Sequence, residues 1–201
     1  MLITIQQIKR SLEANDIAPL DVFKVRGHAS VAMILTAGEQ DLDMCFIKRA
    51  NRNGDPWSGQ VALPGGRAGQ ADRDAGSVAE RETEEEIGMK LEPKECLGAL
   101  PPIDVASNLH RQKLLLSPFV YLVDWDSKGK ARVADPSEVD SVFWVPLSHL
   151  FDPSSGTMIN YPSGAAGASY PGIAYDRYII WGLTLRVLRS FGQVIGMDLP
   201  H

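Results

Sequence analysis

The stretch GGRAGQADRDAGSVAERETEEEIGM, residues 65–89, carries the strongest signal in this chain of 201 residues. Its two leading glycines predict a tight turn, and a short helix follows with glutamate at Glu80, Glu82, Glu84, Glu85 and Glu86. Like charges four residues apart destabilise a helix by about 0.2–0.5 kcal/mol per pair. The helix therefore calls for a cation, and a divalent metal ion with oxygen ligands is the simplest one.

The order of residues along this helix predicts three different sides. At about 100° per residue, one side gathers three carboxylates, those of Glu82, Glu85 and Glu86. The neighbouring side is apolar and can face a sheet, while the remaining two glutamates are expected to face water. Arg81 precedes Glu85 by four residues and is placed to hold its carboxylate. We expect the helix to begin near Asp74 or Ser77, with a capping box from Ser77 to Glu80, and to end at Gly88.

A carboxylate triplet suits Mg²⁺ or Mn²⁺, which take oxygen ligands and keep several waters. A metal-bound water can attack phosphorus, and the ion neutralises charge on the leaving phosphate. Gly65 and Gly66 have no side chain, so their backbone can approach a metal or a phosphate closely. A solvated acidic helix is the alternative. The fixed spacing of the glycines, Arg81 and Gly88 favours the metal site.

Composition is that of an ordinary globular protein, with 44% hydrophobic and 22% charged residues. The net charge of −5 argues against a surface that coats nucleic acid. Cys45 and Cys96 are expected to be buried, reduced thiols. Neither a signal peptide nor an apolar run long enough for a bilayer is visible, so the sequence predicts a soluble cytoplasmic protein without a membrane partner.

Strand patterns outnumber helix patterns and do not alternate regularly with them, which favours a mixed sheet flanked by helices. Residues 1–201 are expected to form one domain, with an N-terminal helical extension at 1–28 and a C-terminal strand and helix at 174–201. The predicted helices are Thr4–Asn15, the acidic helix and Trp181–Gly192. The predicted strands are Ala29–Thr36, Leu42–Lys48, Gln60–Leu63, Leu97–Leu100, Leu114–Trp125, Val142–Val145 and Tyr178–Ile180. Tyr161–Gly172 is rich in Gly, Ser and Pro and is expected to be a loop.

The acidic stretch resembles the Nudix box, in which Gly, five residues and Glu precede Arg-Glu-apolar-x-Glu-Glu-x-Gly-apolar. Residues 81–89 match its second half, with Thr83 in an apolar slot. Counted from Gly66, Asp72 takes the place of the first Glu, with one residue more than usual before Arg81. That added residue is similar to the branch of coenzyme A pyrophosphatases. Residues 59–66, GQVALPGG, and residues 178–184, YIIWGLT, also resemble this branch, although Asp55 stands where the upstream pattern has an arginine.

The resemblance implies an α/β/α sandwich around a mixed sheet and a hydrolase that needs Mg²⁺ or Mn²⁺. It implies that Glu82 and Glu86 bind the metal, with the Gly66 carbonyl as an extra ligand. Glu85 is either another ligand or the group that takes a proton from the attacking water, and Arg81 belongs to the same catalytic group. Four residues are expected to contact the substrate phosphates: Arg49, Gly65, Gly66 and Arg67.

The predicted substrate is a small molecule in which a nucleoside diphosphate is joined to another group, with coenzyme A or an acyl derivative first. The alternatives are ADP-ribose, a nucleotide sugar, a dinucleotide or a nucleoside triphosphate. A Nudix module that binds nucleotides without turnover is a further alternative, although intact Glu82, Glu85 and Glu86 weigh against it. The sequence leaves the oligomeric state open, a homodimer included.

Overall fold

The computed structural model describes residues 3–15, 17, 27–39, 41–55, 57–105, 114–160 and 169–200. The α-helices in these ranges are α1 (Ile5–Asn15), α2 (Ala75–Ile87), α3 (Trp125–Lys128), α4 (Leu147–Leu150) and α5 (Gly182–Ile195). The strands are β1 (His28–Ala37), β2 (Leu42–Arg49), β3 (Val61–Ala62), β4 (Gly65–Arg67), β5 (Cys96–Ala99), β6 (Ile103–Val105), β7 (Leu114–Leu122), β8 (Val139–Pro146), β9 (Gly156–Asn160), β10 (Ser169–Tyr175) and β11 (Tyr178–Trp181).

Eight strands form one mixed sheet, as the irregular order of the sequence patterns predicted. Its main path runs β3-β2-β1-β7-β5, while β4 pairs with β1, β6 with β7 and β8 with β2. β1 and β7 are parallel, and their other neighbours in this sheet are antiparallel. A second, antiparallel sheet has the order β11-β10-β9.

Helices cover both faces of the large sheet. Side chains alternate along β1, so that Met33 and Leu35 enter one core while Ala32 and Ile34 enter another. The buried side of α2 packs in the core that contains Ala32, and α1 and α5 contribute to the core that contains Met33. The predicted α/β/α sandwich is thereby confirmed. Burial of each such aliphatic side chain contributes roughly 1.5–3 kcal/mol.

Most predicted elements are present within a few residues, and three differ. The turn expected at Gly65 and Gly66 is instead β4, an extended strand whose backbone pairs with β1. The strand expected up to Trp125 ends at Leu122, because Trp125 begins α3. Of the loop expected at 161–172, residues 161–168 lie outside the described residues, and 169–172 belong to β10.

The ends of α2 are fixed by its own side chains. Asp74 is the N-cap and accepts a 2.7 Å hydrogen bond from the Ser77 backbone N–H, while the Ser77 hydroxyl accepts one from the Asp74 N–H at 3.1 Å. The capping box is therefore Asp74 to Ser77, and the expected box from Ser77 to Glu80 is wrong. At the other end Gly88 has a φ of 66°, as predicted for a terminating glycine.

In the described ranges, every helix falls short of the length and hydrophobicity that a membrane span requires. The two thiols are free in the structure, with Cys45 buried and Cys96 partly buried.

Candidate active site

The floor of the site is the contact between β4 and α2, and it depends on two glycines. A Cβ added at Gly65 would lie 2.2 Å from the Ser30 carbonyl oxygen, and Gly65 has a φ of 148°, which other residues rarely adopt. A Cβ at Gly66 would lie 2.3 Å from Oε2 of Glu82. At Gly65 the nearest atoms belong to the backbone of β1, so only glycine fits there, whereas a side chain at Gly66 would displace the Glu82 carboxylate.

Arg81 forms a charged group with three carboxylates, which we call the Arg81 cluster: Asp72, Arg81, Glu82 and Glu85. Its guanidinium donates two parallel 2.9 Å bonds to the Asp72 carboxylate. The Nη1 atom donates to Glu82 Oε1 and to Glu85 Oε2, each at 2.9 Å, so the expected contact with Glu85 is confirmed. These bonds from Arg81 hold the pKa of Asp72 below its usual value.

Glu86 lies one turn further along the same helix, outside the Arg81 cluster. It is 2% exposed, and its Oε2 accepts a 2.9 Å bond from the Gly65 N–H. Its Oε1 is buried and has no hydrogen-bond partner among the described residues. Burial, reinforced by the nearby charge of Glu82, raises the pKa of Glu86 to about 8. Without a nearby cation, a carboxyl group in this position is mostly protonated at neutral pH.

The three predicted metal carboxylates do not converge, contrary to the expectation from the helix periodicity. Arg81 draws Glu82 and Glu85 to itself, while the Gly65 N–H holds Glu86. Within the ranges that the structure describes, no three Asp, Glu, His or Cys side chains are already arranged around one point that could hold an ion. The helix places the carboxylates as neighbours, but their rotamers follow the nearest internal donors.

Glu80 corrects the expectation that the two other glutamates face water. Glu84 is exposed, but Glu80 is partly buried and accepts a 3.4 Å hydrogen bond from the Tyr121 hydroxyl. Burial raises the pKa of the Glu80 carboxyl. Tyr121 lies on β7 beneath the helix, and an interaction of this kind between distant residues leaves no trace in the local sequence pattern.

A cavity of about 440 Å³ opens above β4 and α2. All of the predicted site residues line it except Arg81: Arg49, Gly65, Gly66, Arg67, Glu82, Glu85 and Glu86. Sequence reasoning missed two acidic residues of this cavity, Asp135 and Glu138, and most of its aliphatic wall, Val31, Leu63, Leu114, Leu116 and Leu183. These residues come from distant elements, and only the folded sheet brings them to one place.

The two predicted phosphate-binding arginines line the cavity in different states. Arg67 is exposed, and its backbone carbonyl accepts a 3.1 Å bond from Arg81 Nη2. Arg49 donates a 2.8 Å bond from Nη2 to Oδ2 of Asp55, and its Nε is buried without a partner among the described residues. Arg67 is the last residue of β4 and Arg49 is the last residue of β2, and both side chains line the cavity.

The donor set fits a hard divalent cation, although its side chains are not yet arranged around one. Every candidate ligand is an oxygen, which Mg²⁺ and Mn²⁺ prefer. The Oε1 atom of Glu86 is buried without a hydrogen-bond partner among the described residues, and Glu86 and Gly66 both line the cavity.

Comparison with known proteins agrees with this architecture. Residues 26–163 match the model of the NUDIX domain. The chain is 31% identical to Nudix hydrolase 22, chloroplastic, of Arabidopsis thaliana over 184 residues, or 86% of this chain and 56% of that protein. It is 30% identical over 138 residues to the uncharacterised Nudix hydrolase NudL of Photorhabdus laumondii, covering 69% of this chain and 70% of that one.

Among solved structures, a MutT/nudix family protein from Enterococcus faecalis has the same fold, with a TM-score of 0.60 and 13% identity. The superposition covers 98% of this chain and 76% of that chain. The present chain spans only about half of the Arabidopsis relative, so the likeness concerns this domain. Because the domain model matches more than half of the chain and the sheet, α2 and the glycine strand are in place, the chain belongs to the Nudix hydrolase family.

Proposed function

We propose that the protein hydrolyses a phosphoric anhydride in which a nucleoside diphosphate is joined to another group, with Mg²⁺ or Mn²⁺. The observation that carries this proposal is Glu86, a buried carboxylate whose Oε1 lacks a partner among the described residues and which lines a cavity of about 440 Å³. A buried carboxylate that lacks a cation is destabilising for the fold alone, so a ligand-binding role accounts for it better.

Glu82 and Glu86 would hold the metal, with the Gly66 carbonyl as a further ligand, and Glu85 would be either another ligand or the group that accepts the proton of the attacking water. When bound, the metal supplies charge neutralisation at the phosphates and a more acidic water. Glu85 is 58% exposed at its side chain and lines the cavity, so it is the member of the three that can take a proton from water and pass it to solvent.

Arg81 acts on the reaction through the carboxylates that it holds. Its bonds to Asp72 fix the guanidinium, which in turn fixes one oxygen each of Glu82 and Glu85. Arg49 and Arg67 would contact the substrate phosphates, and the backbone of Gly65 and Gly66 would lie against them. These roles place the reacting anhydride between β4 and the C-terminal half of α2.

Coenzyme A or an acyl derivative is the substrate that we place first. Residues 59–66 and 178–184 support it through their resemblance to that branch, and the aliphatic wall of the cavity suits a substrate with an apolar part. ADP-ribose, a nucleotide sugar, a dinucleotide and a nucleoside triphosphate are the alternative substrates. We further propose that residues 1–201 form a single domain with its terminal helices packed on the same core.

A substrate panel with product analysis tests the proposal. The protein is incubated with each candidate and with Mg²⁺, Mn²⁺ or EDTA, and the products are separated. Release of a phosphopantetheine and an adenosine bisphosphate identifies coenzyme A as the substrate. Hydrolysis of another diphosphate would support the proposed reaction and would identify that compound as the substrate instead. Tight nucleotide binding without turnover of any compound would contradict the enzymatic proposal and favour a binding module.

A further inference from the structure

Asp55 is the one residue of the upstream element whose charge is opposite to that of the pattern it resembles, and it pairs with a cavity arginine. Arg49 Nη2 donates to Asp55 Oδ2 at 2.8 Å, and both side chains are largely buried, with exposed fractions of 20% and 16%. The other oxygen, Oδ1, accepts a 3.0 Å bond from the Trp57 backbone N–H. Asp55 therefore joins two residues of the cavity wall, Arg49 and Trp57.

One nitrogen of the Arg49 side chain has no hydrogen-bond acceptor among the described residues. Its backbone is already fixed at the end of β2, where its N–H donates to the Gln60 carbonyl at 2.9 Å. Its Nε is buried and lacks a partner among the residues that the structure describes. A buried guanidinium N–H without an acceptor is costly, whereas an anionic oxygen of a ligand would satisfy it with a charge-assisted bond.

Asp55 also supplies a counter-ion for the Arg49 guanidinium, which would otherwise pair with another carboxylate of the cavity. Arg49 shares the cavity with the carboxylates of Glu86, Glu82 and Glu138. A guanidinium without a fixed counter-ion would form an ion pair with one of these carboxylates, as Arg81 does with Glu82 and Glu85. Although burial by itself raises it, the pKa of Asp55 is held below its usual value by its bonds from Arg49 and the Trp57 N–H, so Asp55 is a charged counter-ion at neutral pH.

We propose that Asp55 is a positioning residue for the diphosphate: it holds the Arg49 guanidinium at the cavity wall, away from the metal carboxylates, so that the guanidinium can meet the substrate phosphates. This inference rests on the proposed function, because it assumes that a diphosphate enters this cavity. Asp55 itself does not line the cavity in the structure, so it acts through Arg49 and Trp57.

The experiment measures binding of ADP with Mg²⁺ by calorimetry, binding of Mn²⁺ alone, and thermal unfolding. The variants are Asp55→Ala, Arg49→Ala and the double variant. Asp55→Ala is expected to weaken ADP binding about tenfold, and to weaken Mn²⁺ binding because Arg49 is released toward Glu86. Arg49→Ala is expected to weaken ADP binding without weakening Mn²⁺ binding, and the second substitution should then add little.

Asp140→Asn is the matched control. Asp140 forms the 3.1 Å ion pair with Lys48, the neighbour of Arg49, but 47% of its side chain is exposed and it does not line the cavity. Its removal should leave both affinities unchanged. Unchanged ADP and Mn²⁺ affinity in Asp55→Ala would overturn the inference. So would losses that are equally large with and without Arg49 and that follow the melting temperature, since these would show a structural role.

The two proposals fail in different ways. Absence of turnover on the whole substrate panel contradicts the proposed hydrolysis. The positioning role of Asp55 is then tested by ADP binding alone. Turnover by the wild type, with equal ADP affinity in wild type and Asp55→Ala, contradicts the positioning role alone.

Discussion

The carboxylates on and beside α2 have two different kinds of hydrogen-bond partner. In the Arg81 cluster, one guanidinium satisfies Asp72, Glu82 and Glu85 with four bonds of 2.9 Å. Glu86, directly after Glu85 and one turn beyond Glu82, is more deeply buried than either, and among the described residues its carboxylate accepts a hydrogen bond only from an uncharged N–H. The Arg81 cluster carries its cation within the protein. Glu86 has no such internal cation among the described residues, and the comparison therefore separates carboxylates that a guanidinium binds from one that it does not.

The largest expected effect is on turnover in Glu86→Gln. The variant keeps the shape of the side chain and removes its charge, so we expect kcat to fall by about 10²–10⁴-fold, or several kcal/mol of transition-state stabilisation. Steady-state hydrolysis of the best panel substrate with Mg²⁺ measures the effect. Glu84→Gln is the control, because Glu84 is exposed on the same helix and should leave kcat unchanged. Similar kcat in all three proteins would remove Glu86 from the site.

The next effect concerns the stability of the metal-free protein against pH. The pKa of Glu86 is raised from 4.5 to about 8 in the folded state. Between these values the unfolded chain loses the proton while the folded protein keeps it, so the free energy of unfolding falls as pH rises. Glu86→Gln lacks this loss and should be more stable than wild type by about 4 kcal/mol at pH 8, but not at pH 4.5.

Denaturant unfolding in EDTA at several pH values measures this difference. Excess Mn²⁺ should stabilise the wild type at pH 8 and not the variant, since the ion replaces the proton on Glu86. A constant gap between the two proteins across this pH range would show that Glu86 is already ionised in the folded state.

A smaller effect is expected in the Arg81 cluster itself. Asp72→Asn breaks a nearly buried, bidentate pair, and we expect a loss of about 2 kcal/mol in the free energy of unfolding. Lys90→Met is the control, because its 3.4 Å pair with Glu92 is exposed and should contribute less than about 0.5 kcal/mol. Equal losses in the free energy of unfolding for the two substitutions would show that the Arg81 cluster stabilises the fold no more than an exposed ion pair does.

The smallest effect is expected at the C-terminal end of α2, the helix that carries Glu82, Glu85 and Glu86. Gly88→Ala places a side chain at a φ of 66° directly after Glu86 and Ile87, and should cost about 1 kcal/mol. Gly129→Ala is the matched control at the end of α3, where φ is −71° and the nearest atom to an added Cβ is 3.9 Å away. Differential scanning calorimetry should show a lower melting temperature for the first variant only.

The sequence predicted what depends on local spacing. The end of α2 at Gly88, its apolar side and the Arg81–Glu85 contact all follow from the helical repeat, and each is present. The expected start near Asp74 or Ser77 includes the observed N-cap, Asp74, but the capping box was misplaced because Ser77 can serve as an N-cap or as the N3 residue. Only the extended backbone of Asp74, with a φ of −156°, decides between them.

What the sequence could not predict depends on pairing across the fold. Two adjacent glycines are compatible with a turn or with a strand that lacks side chains. The hydrogen bonds between β4 and β1 show that these two glycines form a strand. Glu138 enters the cavity because its backbone carbonyl accepts from the Ala50 N–H at 2.7 Å, and its side chain pairs with Arg52 at 3.1 Å. Such contacts join residues more than 80 positions apart.

The loop before β8 is attached to the last turn of α2 through the helix carbonyls. The Glu86 carbonyl accepts from the Ala134 N–H and the Ile87 carbonyl from the Arg132 N–H, each at 3.0 Å. The same loop supplies Asp135 and Glu138 to the lining of the cavity. Hydrogen bonds thus join the helix end to this loop, and a displacement of the helix terminus on ligation would also move the two acidic residues that the loop contributes.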